Sequence, residues 1–277
     1  MPRFVPKTIL YVVPYVLIST FQYQVAQDSL KYSSPFVLMG LRYLIASILL
    51  FAVVRSVKPI LNKDMVLLSI LTSASTGFWI FGLKYVSTSE SCVLSYTMPL
   101  MAIPMASLIL SETASHRQWA GAAIGFVGVL VYSFVVFEVQ ALSLLGAVLT
   151  LLNAFCWGMY TIYYRKLKNQ DAISTVATQL LIGALLFFAI TPLSYSVDPT
   201  PNFWFDLTYL SVLAAAASLL LWNALARLHE VGKTSTLIYC TPAAVTAVQY
   251  VETSSVPPPL SLVGICLMIF GICVSRM

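Results

Sequence analysis

The sequence predicts an all-α polytopic membrane protein of ten transmembrane helices, arranged as two inverted-topology repeats of five. Three observations predict it: a composition that water would not tolerate, long apolar runs from end to end, and a register match between the two halves. Apolar residues fill 59% of the 277 positions and charged residues only 9%. A soluble domain carries about 25% charge, so a soluble fold of this length would expose a large apolar surface. Lipid as solvent removes the conflict.

Runs of roughly 20 apolar residues, the length that crosses a bilayer, recur throughout. They give spans at 8–26, 35–54, 65–83, 91–110, 117–136, 142–163, 172–192, 205–226, 234–251 and 259–275. The connections are short and leave no room for a soluble domain. The chain divides into a first repeat, 1–138, and a second, 139–277, within one integrated membrane domain. Arg3 and Lys7 before an apolar run resemble a signal peptide. Gln24 stands near Ala26 where cleavage needs small residues, so this segment reads as a retained first helix. Cys92, Cys156, Cys240, Cys266 and Cys273 fall inside spans without metal-ligand spacing, and buried thiols behave as small apolar groups. No metal, cofactor or disulfide framework is expected.

Short loops rich in Lys and Arg stay in the cytoplasm. With the N-terminus inside, only Lys31 and Lys84 of the 15 basic residues fall outside, and Arg42 lies within a span. Asp28, Glu90, Glu138, Asp198, Asp206 and Glu252 occupy the outer loops. The alternation supports ten spans with both termini cytoplasmic, and a plasma (inner) membrane is the working location. It also accounts for the net charge of +5 without a nucleic-acid partner.

Shifting the second half by 143 positions aligns it with the first. Ser75 meets Ser218, Trp79 meets Trp222, Leu94 meets Leu237 and Tyr96 meets Tyr239. Pro99 meets Pro242, Ser111 meets Ser254, Gly121 meets Gly264, and Gly128 meets Gly271. Lys84 against Arg227 keeps the register. The first two spans match less clearly, at an offset nearer 137. Five spans per repeat is an odd number, so the second copy is inverted in the membrane. Inverted repeats are typical of secondary transporters, whose sites lie near the midplane between the copies.

Ser95-Tyr-Thr-Met-Pro99 and Ile238-Tyr-Cys-Thr-Pro242 occupy equivalent points in spans four and nine. A proline within a helix removes one hydrogen bond and clashes with the carbonyl four residues back. In a membrane the freed carbonyl needs another partner, in a cavity wall or on a packed neighbour. The matched pair reads as a hinge, with a packing kink as the plainer alternative. Pro104 adds a second break to span four only.

Pro99, then Leu110-Ser-Glu112, then Gly121 and Gly128, resemble the repeat of EamA-type proteins in the drug/metabolite transporter superfamily. The basic loop at each cytoplasmic turn fits as well. The resemblance covers nearly the whole chain, most clearly 65–135 and 205–275. It implies transport, and family members carry amino acids, nucleotide sugars, sugar phosphates and other exported metabolites. The chain departs from the pattern at Ser255, the register partner of Glu112, where Glu252 lies almost a turn earlier and Val256-Pro-Pro-Pro259 follows. Glu112 and Glu252 read as helix-end carboxylates solvated at the interface.

Tyr11, Tyr15, Ile18 and Gln22 share one side of span one, and Asn153, Trp157, Tyr160 and Tyr164 one side of span six. Polar and aromatic stripes belong inside the bundle, as cavity wall or interhelical glue, while Tyr11, Tyr164 and Trp204 also suit interfacial anchoring. With Trp79, Tyr96, Trp222, Asn223 and Tyr239 they outline an aromatic substrate cavity lined by spans one, three, four, six, eight and nine. It would suit an amino acid or a similar amphipathic solute. Arg42 within span two either snorkels, meets a helix C-terminus or holds an anionic group. No acid lies mid-membrane, which favours facilitated diffusion or exchange over proton coupling. Gly121, Gly125 and Gly128 suit close helix approach, either in a homodimer or within the monomer. The main reading is a transporter of a small molecule by alternating access. The alternatives are a non-transporting receptor or assembly factor, or a channel. No enzyme motif is present, with His116 and His229 both in loops and no HExxH, GxSxG or Gly-rich phosphate loop.

Overall fold

The computed structural model describes residues 6–53, 57–86, 88–136, 143–193, 195–244 and 258–277. Helices α1 (Pro6–Ser29), α2 (Pro35–Val53) and α3 (Lys63–Gly82) are followed by a broken span, α4 (Thr88–Ser95) and α5 (Met98–Leu110), and then α6 (His116–Val136). The second half repeats the order as α7 (Leu144–Lys166), α8 (Ala172–Ile190), and α9 (Pro201–Thr208), which continues through a π-helical stretch Tyr209–Ala217 into α10 (Ser218–Leu228). A second broken span, α11 (Val231–Ser235) with a 3₁₀ turn Thr236–Tyr239, precedes α12 (Pro259–Arg276). Among the described residues, eight helical stretches are long and apolar enough to cross a membrane. Of the other two expected spans, α6 is 21 residues long but opens on His116, Arg117 and Gln118. The ninth begins at α11 and runs beyond the described residues.

Four antiparallel pairings build the bundle. Along α2 and α8, Gly40 faces Phe188, Tyr43 faces Gly183, and Ser47 donates to the Ala177 carbonyl at 2.9 Å. Along α3 and α7, Gly82 faces Gly146 and Thr150, while Ser75 bonds Asn153. Along α1 and α10, Thr8 meets His229 and Tyr15 stacks on Trp222. Along α6 and α12, Gly121 lies against Gly271 and Gly128 against Gly264. Exchanging the halves turns the first and last pairings into themselves and swaps the middle two. That is how two inverted copies pack about an approximate twofold axis. The glycine pairs follow the same rule, since the shift of 143 carries Gly121 to Gly264 and Gly128 to Gly271. Their missing side chains are filled by the partner helix of the same chain, which leaves any contact with a second copy to other faces.

The prolines do not kink continuous helices. α4 ends at Ser95, the chain turns through Tyr96 and Thr97, and Pro99 stands in the first turn of α5. In the second half the helix tightens to 3₁₀ over Thr236–Tyr239 and resumes at Cys240, with Pro242 in the first turn of the resumed segment. A first turn has no intrahelical acceptor for the missing N–H, so proline is well placed there. Pro104 remains inside α5.

Candidate functional site

Both broken spans meet α1, α3, α7 and α10 around one cavity of about 100 Å³. Tyr15, Ser19, Gln22 and Tyr23 line it from α1, Ser75, Thr76 and Trp79 from α3, and Ser95 and Tyr96 from the first break. Asn153, Ala154 and Trp157 reach it from α7, Ser218 and Leu219 from α10, and Ile238 and Thr241 from the second break. Arg42 and Tyr43 of α2 complete the wall with Ala214.

The residues predicted from the sequence divide into two layers. Tyr15, Gln22, Trp79, Tyr96, Asn153 and Trp157 line the cavity, as does Arg42. Tyr160, Trp222, Asn223 and Tyr239 stand behind it, each fully buried. Trp222 packs its ring on Tyr15 and Trp157, at 5.1 and 5.8 Å between centroids, and donates Nε1–H to Thr161 at 3.0 Å. Tyr160 donates its hydroxyl to the Asn223 side chain at 2.7 Å and is itself approached by Gln179. Tyr239 fits the notch left by Gly125 and donates to the Ala122 carbonyl at 3.1 Å. These four therefore brace the wall.

Asn153 ties the wall together by accepting from Ser75 at 2.8 Å and donating to Ser95 at 3.1 Å, which joins α7, α3 and α4. Neighbouring side chains, rather than neighbouring backbones, satisfy this amide. Arg42 is 4% exposed and braced on the π-helical stretch. Its Nε–H donates to the Leu210 carbonyl at 3.1 Å and its Nη2 to the Ala214 carbonyl at 2.7 Å. The guanidinium also lies 5.6 Å from the Trp79 ring centroid and 5.9 Å from that of Tyr43. Arg42 does not snorkel, because two carbonyls and two aromatic faces hold it inside.

A polar latch ties together the end of the bundle at which α1 begins and α12 ends. Ser111 adopts φ 55° and ends α5, and Glu112 follows it. Glu112 forms an ion pair with Arg165 of α7 and accepts the Val231 N–H at the start of α11 at 3.0 Å. Arg165 donates further to the Ala226 carbonyl at 2.9 Å and to the His229 carbonyl, at the end of α10. Glu112 was expected to be a solvated helix-end carboxylate. Instead it joins three spans, because the left-handed turn at Ser111 ends the helix beside Arg165. Glu252 and Glu138 lie outside the described residues. Gln118 of α6 donates to Glu230 at 2.6 Å, next to this latch.

His229 meets Thr8 at 2.9 Å. Burial, reinforced by Arg276, Lys233 and Arg165 and opposed by Glu230, pushes its imidazole down to about 4. The unfolded imidazole titrates near 6.5, so the unfolded chain binds more protons between these values. The stability His229 contributes is present above pH 6.5 and is lost as pH falls toward 4. Thermal unfolding in detergent should therefore shift to lower temperature on going from pH 7.5 to 4.5. In His229→Gln the pH-dependent part of that shift should shrink.

The model of the EamA-like transporter family matches this chain twice, over residues 6–134 and 144–277. The chain belongs to the EamA-like transporter family. It is 44% identical over 243 residues to an uncharacterized transporter in the sor 3'region of Acidianus ambivalens, covering 86% of this chain and 92% of that protein. It is 27% identical over 281 residues to the uncharacterized transporter YvbV of Bacillus subtilis (strain 168), covering 96% of this chain and 90% of that one. In three dimensions it resembles the crystal structure of a protein of 20% sequence identity, with a TM-score of 0.82 over 97% of this chain and 96% of the other. Family membership and fold together make this chain a polytopic membrane protein of a transporter family.

Several lining groups give no cavity signal in the sequence, although Ser75 stands in the register match and Ser95 in the proline motif. Ser19, Tyr23, Ser75, Thr76 and Ser95 line the cavity, yet small hydroxyls in apolar helices usually bond their own backbone and give little signal. Tyr23 is not marked by its neighbour Gln22, because consecutive helix residues do not share a face; in the structure its ring meets Trp79 edge-on at 5.4 Å.

Proposed function

We propose that this EamA-family protein is a secondary transporter that moves a small metabolite, an amino acid or a similar amphipathic solute, by alternating access. The halves 1–138 and 139–277 would rock about the cavity, in export or exchange across the plasma membrane, with both termini in the cytoplasm. One observation carries the proposal: aromatic and polar side chains from both halves converge on a single cavity at their junction. It sits beside two helix breaks, at Tyr96–Thr97 and Thr236–Tyr239. In transporters, irregular backbone at membrane depth is tolerated where it lines such a cavity. The latch at Glu112 and Arg165 then belongs to a state closed toward the cytoplasm, in which the solute reaches the cavity from outside.

The test is counterflow of labelled amino acids and small metabolites in liposomes, with and without a pH gradient. Saturable counterflow supports the carrier. Flux that fails to saturate indicates a channel, and folded protein that moves nothing favours a receptor or assembly factor. Accumulation driven by a pH gradient would overturn uncoupled exchange. Pro99 and Pro242 serve as hinges in this reading. In the double variant Pro99→Ala and Pro242→Ala, continuous helix becomes available, and exchange should slow about tenfold while binding changes less than twofold, as about 1.4 kcal/mol on the barrier would produce. Unchanged exchange from the folded double variant would sink the hinge assignment.

A further inference from the structure

We propose that the cavity selects its ligand by an anionic, carboxylate-sized group, held by Arg42 and the indole N–H of Trp79. This deepens the transporter reading and rests on it only for the passage of solute, not for binding.

Two independent observations converge. The first is an unbalanced charge. Among the described residues the ion pairs are Lys31 with Asp28, Arg165 with Glu112 and Lys233 with Glu230, and none involves Arg42. Its carbonyl partners supply partial charge only. A guanidinium carries five N–H donors, and two are spent on carbonyls. Beyond these, Nη1 meets only the Met39 sulfur at 3.6 Å, a weak acceptor. Burying a cation without a counter-charge is costly, and an anionic ligand removes the cost when it arrives.

The second observation is an orphan donor. Trp79 lines the same cavity, is 4% exposed, and among the described residues its Nε1 has no acceptor. Its repeat mate Trp222 does have one, in Thr161 at 3.0 Å. The two indoles are equivalent by register, yet only the one beside Arg42 is left unsatisfied. An unmade hydrogen bond at a buried donor is expensive unless a ligand makes it.

Among the described residues, no carboxylate lines the cavity. A cationic group would therefore meet Arg42 with no compensating acid. The rings of Tyr15, Tyr23 and Trp157 offer apolar faces to the rest of the ligand. A solute with one carboxylate and an apolar body matches this wall, whether zwitterion or simple anion.

Four probes of similar size isolate the charge: L-phenylalanine, 3-phenylpropionate, L-phenylalaninamide and 2-phenylethylamine. Binding to the full-length protein in detergent is read by quenching of tryptophan fluorescence, and passage by counterflow in liposomes. The carboxylates should bind at least tenfold more tightly than the amide and the amine. Trp79→Phe, which keeps the ring and removes the N–H, should weaken carboxylate binding about tenfold and leave amine binding unchanged. Arg42→Lys should retain the preference at lower affinity, and Arg42→Gln should abolish it. Trp79→Phe keeps the proposal open to refutation if Arg42→Gln does not fold. Amines or amides binding as well as carboxylates would overturn it, as would an unaltered preference in Trp79→Phe. Absence of binding by both carboxylates would overturn it too, whatever the transport result. Carboxylate binding without counterflow would uphold the site and remove the transporter reading, and counterflow confined to uncharged or cationic solutes would do the reverse.

Discussion

Replacing Arg165 with methionine should open the termini-bearing end of the bundle. Among the described residues, Arg165 joins the Glu112 carboxylate, at the end of α5, to the Ala226 and His229 carbonyls at the end of α10. Methionine keeps much of the apolar stem but removes the charge and every donor. Glu112 is then left with the Val231 N–H as its remaining bond in this cluster. Removing one partner of a fully buried pair costs about 3–5 kcal/mol. Here the side chains are 16% and 21% exposed, so solvent screening lowers the expected loss to about 2 kcal/mol.

The same loss should show directly in access to the cavity. Take a cysteine-free background carrying Ser218→Cys, whose position lines the cavity. A membrane-impermeant maleimide added on the side of the termini should label the Arg165→Met variant at least about tenfold faster, since about 1.4 kcal/mol of population shift suffices. Glu112→Gln keeps an acceptor for Val231 and should fall between the two. An unchanged labelling rate, with the expected loss of stability, would make the cluster a structural tie rather than a gate. By register Ser255 stands where Glu112 would recur, so the sequence of the second half does not repeat this carboxylate.

The other large effect concerns the α6–α12 seam. A Cβ on Gly121 would lie 2.5 Å from the Gly271 carbonyl oxygen and 2.6 Å from the Ser275 nitrogen. A Cβ on Gly271 would lie 2.5 Å from the Gly121 oxygen, and Gly128 and Gly264 repeat the arrangement at 2.7 and 2.8 Å. The obstructing atoms are backbone, so no rotamer change relieves the clash and the helices must separate along their length. In a bilayer, helix association depends on this close packing, because lipid tails are as apolar as the side chains. Gly121→Val or Gly271→Val should cost at least about 3 kcal/mol, seen as loss of the monodisperse peak in detergent. Gly77→Ala is the control: its Cβ meets the Phe187 ring at 3.5 Å, ordinary contact, so folding should be unaffected. A stable Gly121→Val protein would contradict the seam.

Much of this molecule was legible without coordinates. Span positions follow from local composition, and the register match between the halves follows from identities at one offset. Helical spacing alone put Tyr15 and Gln22 on one face, and Asn153 and Trp157 on another, and all four line the cavity. A helical period names the inward face of a helix, but it does not say how deep each residue on that face lies. That is why Trp157 borders the cavity while Tyr160, nearly one turn on, is sealed behind it by Asn223.

What only the tertiary structure decided are the partnerships between residues far apart in sequence. Arg42 could have snorkelled, but the π-helical carbonyls of Leu210 and Ala214 hold it in the wall. Glu112 could have been solvated, but α7 and α11 bring it Arg165 and the Val231 N–H. The glycines of α6 could have served a second copy, but within the same chain α12 fills Gly121 and Gly128, and Tyr239 fills Gly125. In each case the side chain's chemistry restricted the kinds of partner it would accept. Which partner it met depended on the packing of inverted halves, where a contact joins positions more than fifty residues apart and no local pattern records it.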